Sequence, residues 1–572
     1  VPIHNSDVAD IFNTVADLLE IKGENAFRIR AYRNAARTVA GLSQNVTDMV
    51  HQGAHLDELP GIGKDLAHKI AHIVKNGGFP LYDDLQRELS PELTRLMHLA
   101  GLGGKRVKTI HQKLGVSNLQ QLEAAARNQQ IRELPGMGAK TEGRILEEIS
   151  REQQSRTRRM LAEAEQIADP LVDFLRSIEG VKDVAVAGSY RRRKETVRDL
   201  DILATCKRGS PIMDRFVGYD EAAQVISHGD TRSTIELRSG MHVDLRVVAQ
   251  TSYGSALHYF TGSQAHNIAI RKMGVKRGLK INEYGVFKGD RRIGGTTEDE
   301  VYTAVGLPYI DPEMREDRGE IDAAQNSTLP RLITASDIRG DLHAHTKRTD
   351  GKYSLEEMVE AAKKHGYDYL GISDHSQRLS MTKGLDAAGL REQIRRIEKL
   401  REKTEGITIL QSIEVDILDD GSLDLPDEIL KRLDYTICSI HSKFNLSAKA
   451  QTQRVMRAMS NPYATILGHP TGRLINQREP YDIDMNRLIR AARDEGWFLE
   501  INAHPDRLDV SDIYCKAAKD AGVLLVVNTD AHTLSDLDNM RYGIDQARRG
   551  WLEADDVLNT RSTRDLKKLL GA

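Results

Sequence analysis

From residue 1 to about residue 155, apolar positions recur at helical spacing in short runs, broken by glycine-bearing turns, with little of the alternation that marks strands. The pattern changes near residue 184. Val184-Ala185-Val186-Ala187 is a compact apolar run, and Asp199-Leu200-Asp201-Ile202-Leu203 follows it at strand period. A further strand is predicted at Met241-His242-Val243-Asp244-Leu245-Arg246-Val247-Val248. The stretch from Asp311 to Ile338 is polar and contains proline, which predicts a linker. Beyond it, short apolar runs alternate with helical segments, the order expected of parallel strands closing into a barrel.

At 572 residues the chain is too long for one core, so several domains are expected. Hydrophobic content of 40% with 29% charged residues describes a soluble globular protein. The formal net charge of -3 means that any nucleic-acid contact must come from local patches. Cys206, Cys438 and Cys515 stand alone, which argues against a disulfide framework and for a reducing compartment. Neither a signal peptide nor an apolar run of membrane-spanning length is found, so the expected location is cytoplasmic and nucleoid-associated.

The most informative stretch runs from Gly188 to Leu203. Strand alternation places Asp199 and Asp201 on one face and Leu200 on the other. Adjacent carboxylates repel unless a cation lies between them, which makes the pair a candidate Mg²⁺ site with Asp244 as its third member. Upstream, Gly188 and Ser189, with Arg191, Arg192 and Arg193, would hold phosphate. Metal beside a phosphate cradle points to nucleotidyl transfer. Asp-x-Asp alone also describes an edge strand with solvated acids; the preceding Gly-Ser turn and the later Asp244 make the combination specific.

Three segments of the helical region share a form: Leu59-Pro60-Gly61-Ile62-Gly63-Lys64, Leu99-Ala100-Gly101-Leu102-Gly103-Gly104-Lys105 and Leu134-Pro135-Gly136-Met137-Gly138-Ala139-Lys140. Glycine allows the tight turn, and the following helix offers unpaired N–H groups to a phosphate. A packing repeat is the alternative. In the C-terminal half, apolar runs end repeatedly in imidazole or carboxylate: Asp341-Leu342-His343-Ala344-His345 with Asp350, Ser373-Asp374-His375, Ile413-Glu414, Ile440-His441, Gly468-His469 and Asp530-Ala531-His532. Mixed imidazole and carboxylate without thiolate suits Mn²⁺, Zn²⁺ or Fe²⁺, and several such ions would activate water for a phosphate displacement.

The Gly188–Leu203 stretch resembles the palm signature of family X DNA polymerases, the group that includes DNA polymerase beta. The three glycine segments resemble helix-hairpin-helix motifs, which grip the DNA backbone without reading sequence. The resemblance implies a DNA-binding role for Gly61, Gly63, Lys64, Gly101, Gly103, Lys105, Gly136, Gly138 and Lys140. It places Arg28 and Tyr32 at a gap 5′-phosphate and Lys69 where the family's lyase lysine forms a Schiff base. Asp65, however, stands where polymerase beta is basic, and an exposed helix lysine is the other reading of Lys69. In the thumb, Tyr259, Phe260 and Gly262 would line the sugar pocket, Asn267 would contact the incoming base and Arg271 the template; Gln264 departs from the acid of polymerase beta.

The C-terminal set resembles the polymerase and histidinol phosphatase (PHP) domain, a distorted barrel with a three-metal cluster. That resemblance makes His343, His345, Asp350, His375, Glu414, His441, His469, Asp530 and His532 the ligands of Mn²⁺ or Zn²⁺, with His504 and Arg507 near substrate. The implied domains are an N-terminal helical DNA-binding region (1–85), a helical fingers-like region (86–155), an α+β palm (156–250), a thumb (251–318) and an α/β PHP barrel (336–572). The implied protein is a monomeric gap-filling repair polymerase with a 3′–5′ exonuclease or phosphoesterase, acting on gapped or nicked double-stranded DNA and dNTPs, away from membranes. Two rivals fit parts of the pattern: a PHP phosphatase with a DNA-tethering front half, and a non-catalytic DNA-end scaffold.

Overall fold

The computed structural model describes residues 5–40, 46–59, 61–89, 92–97, 99, 102–154, 158–378 and 382–571. The chain divides into two compact units, Val1–Thr157 and Arg158–Ala572. Among the described residues the first unit is all helix, with nine α-helices from Asn5–Lys22 to Ala139–Gln154. Its apolar residues gather into two clusters. One is built from Val8 to Leu85 around Phe12, Tyr32 and Phe79, and the other from Leu93 to Ile149 with Ile21.

The second unit begins with the palm. Helix Leu161–Arg176 buries Leu161, Ala164, Ala168, Leu171, Val172 and Leu175, a stripe at helical spacing. It packs against a five-stranded sheet in the order Val181–Val186, Asp199–Cys206, His242–Val247, Arg232–Leu237, Ala222–Ser227. The two carboxylate-bearing strands are parallel neighbours; the other pairings are antiparallel. Leu200, Ile202 and Ala204 face the helix side, whereas Leu203 meets Ala256 and Leu257 of the next domain on the opposite side.

Helices Tyr253–Thr261, Gln264–Lys276 and Glu298–Ala304, with the small antiparallel sheet Lys280–Asn282, Gly285–Lys288 and Arg291–Gly294, form the thumb. The 311–338 stretch, expected to be a linker, is folded. It carries helix Glu320–Gln325, and although many of its polar residues are exposed, Arg315 and Glu320 are buried because they are paired. Arg315 bonds Glu298 at 2.6 Å, and Glu320 lies 2.7 Å from His266 Nδ1. Polar composition therefore disguised an ionic core.

The C-terminal domain holds eight parallel strands in two sheets. One contains Gly340–Ala344, Tyr369–Ile372 and Thr408–Gln411; the other runs from Glu414–Asp416 through Ile437–Ser439, Ile466–Leu467 and Phe498–Asn502 to Leu525–Asn528. Parallel bridges His375↔Glu414 and Ala344↔Ala531 join the two sheets at both seams, which closes the ring. Every residue of most of these strands is buried, which explains their continuous apolar reading. Gly340 is required by proximity: a Cβ there would lie 2.2 Å from the Tyr369 carbonyl oxygen. Among the described residues no helix is long and apolar enough to cross a membrane.

Candidate polymerase and metal sites

In the palm, Asp201 and Asp244 are direct partners across the parallel pair. Asp199 lies two residues before Asp201, and Leu200 between them is fully buried in the core. The three carboxylates thus share one face. Asp244 accepts hydrogen bonds from the Thr234 hydroxyl and from Arg232 Nη2 (3.1 Å), and Asp199 from Arg198 Nη2 (3.0 Å). Burial, then the charges of Asp199 and Asp244, push the Asp201 carboxyl up to about 6. A cation among the three carboxylates would offset this repulsion and favour the ionised form. Three carboxylates on one face, one of them buried, fit a divalent site better than solvated edge acids.

The turn before this strand approaches it closely. Ala187 N–H donates to the Asp201 carbonyl at 2.7 Å, and Gly188 has φ +61°. A Cβ on Gly188 would lie 2.7 Å from Asp201 Oδ2, so glycine is dictated by both conformation and space. Ser189 follows in the half-buried turn Gly188–Arg191. The arginines expected at phosphate are all engaged within the protein: Arg191 with Glu298, Arg192 with Glu316 (3.1 Å) and the Thr261 carbonyl (2.5 Å), Arg193 with Glu165 and Asp545.

Arg192 carries the palm into the thumb pocket, because its guanidinium lies against Gly262. Arg246, two residues past Asp244, stacks over the Phe260 ring at 4.5 Å. Tyr259 and Phe260 are half-buried and meet edge to face, Asn267 Nδ2 donates to the Tyr259 carbonyl at 2.7 Å, and exposed Arg271 lies 6.0 Å from the Tyr259 ring.

In the first unit, the three glycine segments adopt one turn. Ile62, Leu102 and Met137 donate their N–H to the carbonyls of Leu59, Leu99 and Leu134, at 3.0, 2.9 and 3.0 Å. Gly63, Gly103 and Gly138 then accept from Ala67, Val107 and Glu142, opening the next helix. The apolar residue between the glycines is buried each time, while Lys64, Lys105 and Lys140 are exposed. Gly61 and Gly136 have φ of +76° and +75°; Gly101 lies outside the described residues. Arg28 is exposed beside Glu24. Tyr32, expected at a phosphate, is instead a core residue, its ring packed on Phe12 and Phe79. The Lys69 ammonium donates to Asp65. Burial opposes its charge, but Asp65 and Tyr32 together outweigh burial and raise its pKa, the opposite of the lowering that would activate an amine nucleophile.

In the barrel, eight of the nine expected ligands fall into three overlapping groups, each with ligand atoms within 4.8 Å of one another. His345, Asp350, His375 and His532 form one, His343, His345 and Asp530 the second, His375, Glu414 and His441 the third. His469 joins them through Nε2, 2.9 Å from Glu414 Oε1. Glu414 also lies 2.8 Å from His375 Nδ1 and 3.3 Å from His441 Nε2. His469 and Asp530 hold left-handed backbone (φ +25° and +56°), a cost that residues at functional sites commonly bear. Buried His345 Nδ1 and His469 Nδ1 have no hydrogen-bond partner, and the clustered imidazoles and carboxylates fit a multi-metal centre. Burial and then His532 and His375 lower His345 to about 3, which keeps it neutral and ligand-ready. Burial opposes the charge of Glu414, but His375, His441 and His343 hold its carboxyl well below the usual range.

Comparison with known proteins agrees with this geometry. The DNA polymerase beta thumb model matches residues 256–316, a helix-hairpin-helix domain 3–79, a SAM-like helix-hairpin-helix tandem 93–151 and the PHP domain 341–504. The DNA polymerase/3′-5′ exonuclease PolX of Bacillus subtilis (strain 168) is 36% identical over 572 residues, covering 99% of both chains. The chain belongs to the family X DNA polymerases. As a full-length homologue, it is a DNA polymerase with a 3′-5′ exonuclease. Its C-terminal part is also similar to smaller proteins. A probable phosphatase of Thermoanaerobacter sp. (strain X514) is 32% identical over 38% of this chain and 89% of its own, and one of Clostridium acetobutylicum 29% over 36% and 84%.

This family X polymerase also contains site residues that sequence reading passed over. Buried Glu500 lies 2.7 Å from His343 Nδ1 and accepts the His469 N–H at 2.7 Å, orienting two ligands at once. Asp416 holds His441 Nδ1 at 3.2 Å. Asp374 accepts from Thr346 and Thr349, fixing the loop that carries Asp350. The available signal was an acid inside an otherwise apolar strand, Phe498-Leu499-Glu500-Ile501-Asn502. Arg507 Nε lies 3.7 Å from Asp530 Oδ2, at the edge of the centre; the half-buried His504 imidazole accepts the Asp506 N–H at 3.4 Å.

Gly188→Ala tests the palm turn. The strained φ and the contact with Asp201 are expected to cost about 1–2 kcal/mol of stability. Incorporation should fall at least roughly tenfold, since misplacement of a reacting group is costly. Thermal unfolding and primer extension measure both effects, and full activity in this variant would remove the turn from the site.

Proposed function

We propose that the palm carboxylates Asp199, Asp201 and Asp244 hold two Mg²⁺ ions for gap-filling DNA synthesis, and that the barrel holds three ions, Mn²⁺ or Zn²⁺, for 3′–5′ hydrolysis. The observation that carries the first half is the Asp201↔Asp244 register with Asp199 on the same face. When bound, divalent ions would acidify the primer 3′-hydroxyl in the palm and water in the barrel and would balance charge on the reacting phosphate.

The protein's own residues do the rest. Gly188 and Ser189 receive the triphosphate, with Arg192 at the seam to the thumb. Tyr259, Phe260 and Gly262 border the sugar, where bulk excludes a ribose 2′-hydroxyl; Asn267 faces the base and Arg271 the template. Gly61, Gly63, Lys64, Gly101, Gly103, Lys105, Gly136, Gly138 and Lys140, with Arg28, engage the backbone of gapped or nicked duplex DNA. In the barrel, His343, His345, Asp350, His375, Glu414, His441, His469, Asp530 and His532 are the ligands, and Arg507 steadies the scissile phosphate.

The domain limits proposed from sequence, 1–85, 86–155, 156–250, 251–318 and 336–572, follow this division of labour. The protein acts as a monomer in the cytoplasm at the nucleoid. A phosphatase-like action of the barrel on blocked 3′-ends is favoured by the probable phosphatases that match it. Primer extension and 3′-degradation on a gapped duplex, with Mg²⁺ and Mn²⁺ supplied separately, test the reading. Incorporation and 3′-hydrolysis should both appear. Hydrolysis without incorporation under any metal would leave only a phosphoesterase.

A further inference from the structure

Arg193 ends the palm turn with φ +54°, a left-handed conformation that a side-chain-bearing residue adopts at a cost. Contacts from elsewhere in the fold hold it there. Arg193 Nη2 donates to Glu165 at 2.6 Å, and Nε donates to Asp545 Oδ2 at 2.7 Å, 352 residues along the chain. One residue earlier, the Arg192 carbonyl accepts from Arg549 Nη1 at 2.7 Å. Arg549 is buried, and its fork also engages Glu316 (3.2 Å) and Asp512 (2.6 Å).

Asp545 and Arg549 lie one turn apart on helix Met540–Arg549 of the barrel domain, and Tyr542 on the same face donates to Glu165 at 2.8 Å. Tyr542 is part of the palm's apolar cluster. On its other side this helix rests directly on the barrel: a Cβ on Gly543 would lie 2.5 Å from Val527 Cγ1 and 2.7 Å from Ala503 Cβ. The helix is therefore held between barrel strands and the palm turn. Its contacts to the turn are charged, buried and directional, unlike general packing.

We propose that Asp545 and Arg549 of the barrel domain are positioning residues for nucleotide incorporation. Asp545 acts through the Arg193 guanidinium and Arg549 through the Arg192 carbonyl. Together they fix the exit of the Gly188–Ser189 turn and so set the affinity for the incoming nucleotide's triphosphate. This rests on the reading of that turn as the triphosphate site. The turn also meets Asp201, but Asp199, Asp201 and Asp244 are held by their own strand pairing, so the effect falls mainly on triphosphate affinity rather than on the chemical step. The barrel ligands leave from strand ends that these two residues do not touch, so hydrolysis is spared.

The test uses the full chain on a one-nucleotide gap, with dNTP concentration varied and 3′-degradation measured in parallel. Asp545→Asn is expected to raise the dNTP KM roughly tenfold with kcat and hydrolysis within about twofold, and Asp545→Glu to recover most of the loss. Arg549→Lys keeps the charge but loses the fork; it should raise KM in the same sense and carries the test if Asp545→Asn does not fold. Ser189→Ala reports separately on the turn. If Ser189→Ala raises KM while the folded Asp545 and Arg549 variants do not, the positioning role is wrong and the turn assignment stands. If none of them raises KM, the turn assignment fails and takes this inference with it. A parallel fall of incorporation and hydrolysis, not recovered by Asp545→Glu, would mark a packing role only and overturn the proposal.

Discussion

Replacement of Asp201 by alanine is expected to lower nucleotide incorporation by at least about 10³-fold while 3′–5′ hydrolysis stays within about twofold. Asp201 is the central member of the palm triad, with Asp199 on its own strand and Asp244 beside it on the next. Its carboxyl is pushed up to about 6 by burial and by its two neighbours. Binding of a divalent ion must reverse that shift, so the carboxylate is the ligand whose loss the site can least replace. Primer extension and 3′-degradation assays on the same preparation separate the two activities. Loss of both in a folded variant would mean one shared centre. Incorporation above about a tenth of the normal rate, less than 1.4 kcal/mol of barrier, would remove the triad from catalysis.

The second large effect is expected in the barrel. Glu414→Gln should reduce hydrolysis on the order of 10²–10³-fold and lower the bound metal content, with incorporation within about twofold. Glu414 is fully buried and meets His375, His441 and His469 within 3.3 Å, with His343 at 3.6 Å and His345 at 3.7 Å. No other carboxylate of the centre touches so many imidazoles. Glutamine keeps the volume and removes the charge, and the surrounding imidazoles can shed their protons, so the fold should survive. Because the neighbours hold Glu414 well below the usual carboxylate range, the defect should be the same from pH 6 to pH 8. Elemental analysis alongside the 3′-degradation assay checks both parts; normal hydrolysis with a full metal complement would show that Glu414 is dispensable.

Asp199, Asp201 and Asp244 were legible because strand period and residue type agree: acids alternate with apolar residues on the same short run. Most of the candidate barrel ligands were legible because they sit at or just past the ends of apolar strands, although Asp350 lies in a loop and Glu414 opens its strand. The helix-hairpin-helix turns were readable from glycine spacing, and their shared hydrogen bonds follow from it. Arg193 was not legible, since its partner Asp545 is fixed by the meeting of two domains and by nothing local. Glu500 went unread although it is an acid in a mostly apolar strand, because a strand buried on both faces shows no alternation that marks which polar residue faces a site. Tyr32 was open to two readings. Tyrosine serves equally as a core ring or a phosphate donor, and here the core claims it. The 311–338 stretch looked like a linker because composition cannot show that Arg315 and Glu320 find buried partners.

The register between strands Asp199–Cys206 and His242–Val247 constrains chain length itself. Six consecutive residues pair from Asp199↔His242 to Ala204↔Val247, so every side chain on one strand is indexed against the other. Inserting or deleting one residue between Asp199 and Asp201 would rotate one acid to the core side, into space now filled by Leu200. Descendants of this sequence can exchange the apolar residues between the acids for others of similar size. They can lengthen the connections at 207–211 and 228–231, but they cannot change the single-residue spacing that separates Asp199 from Asp201.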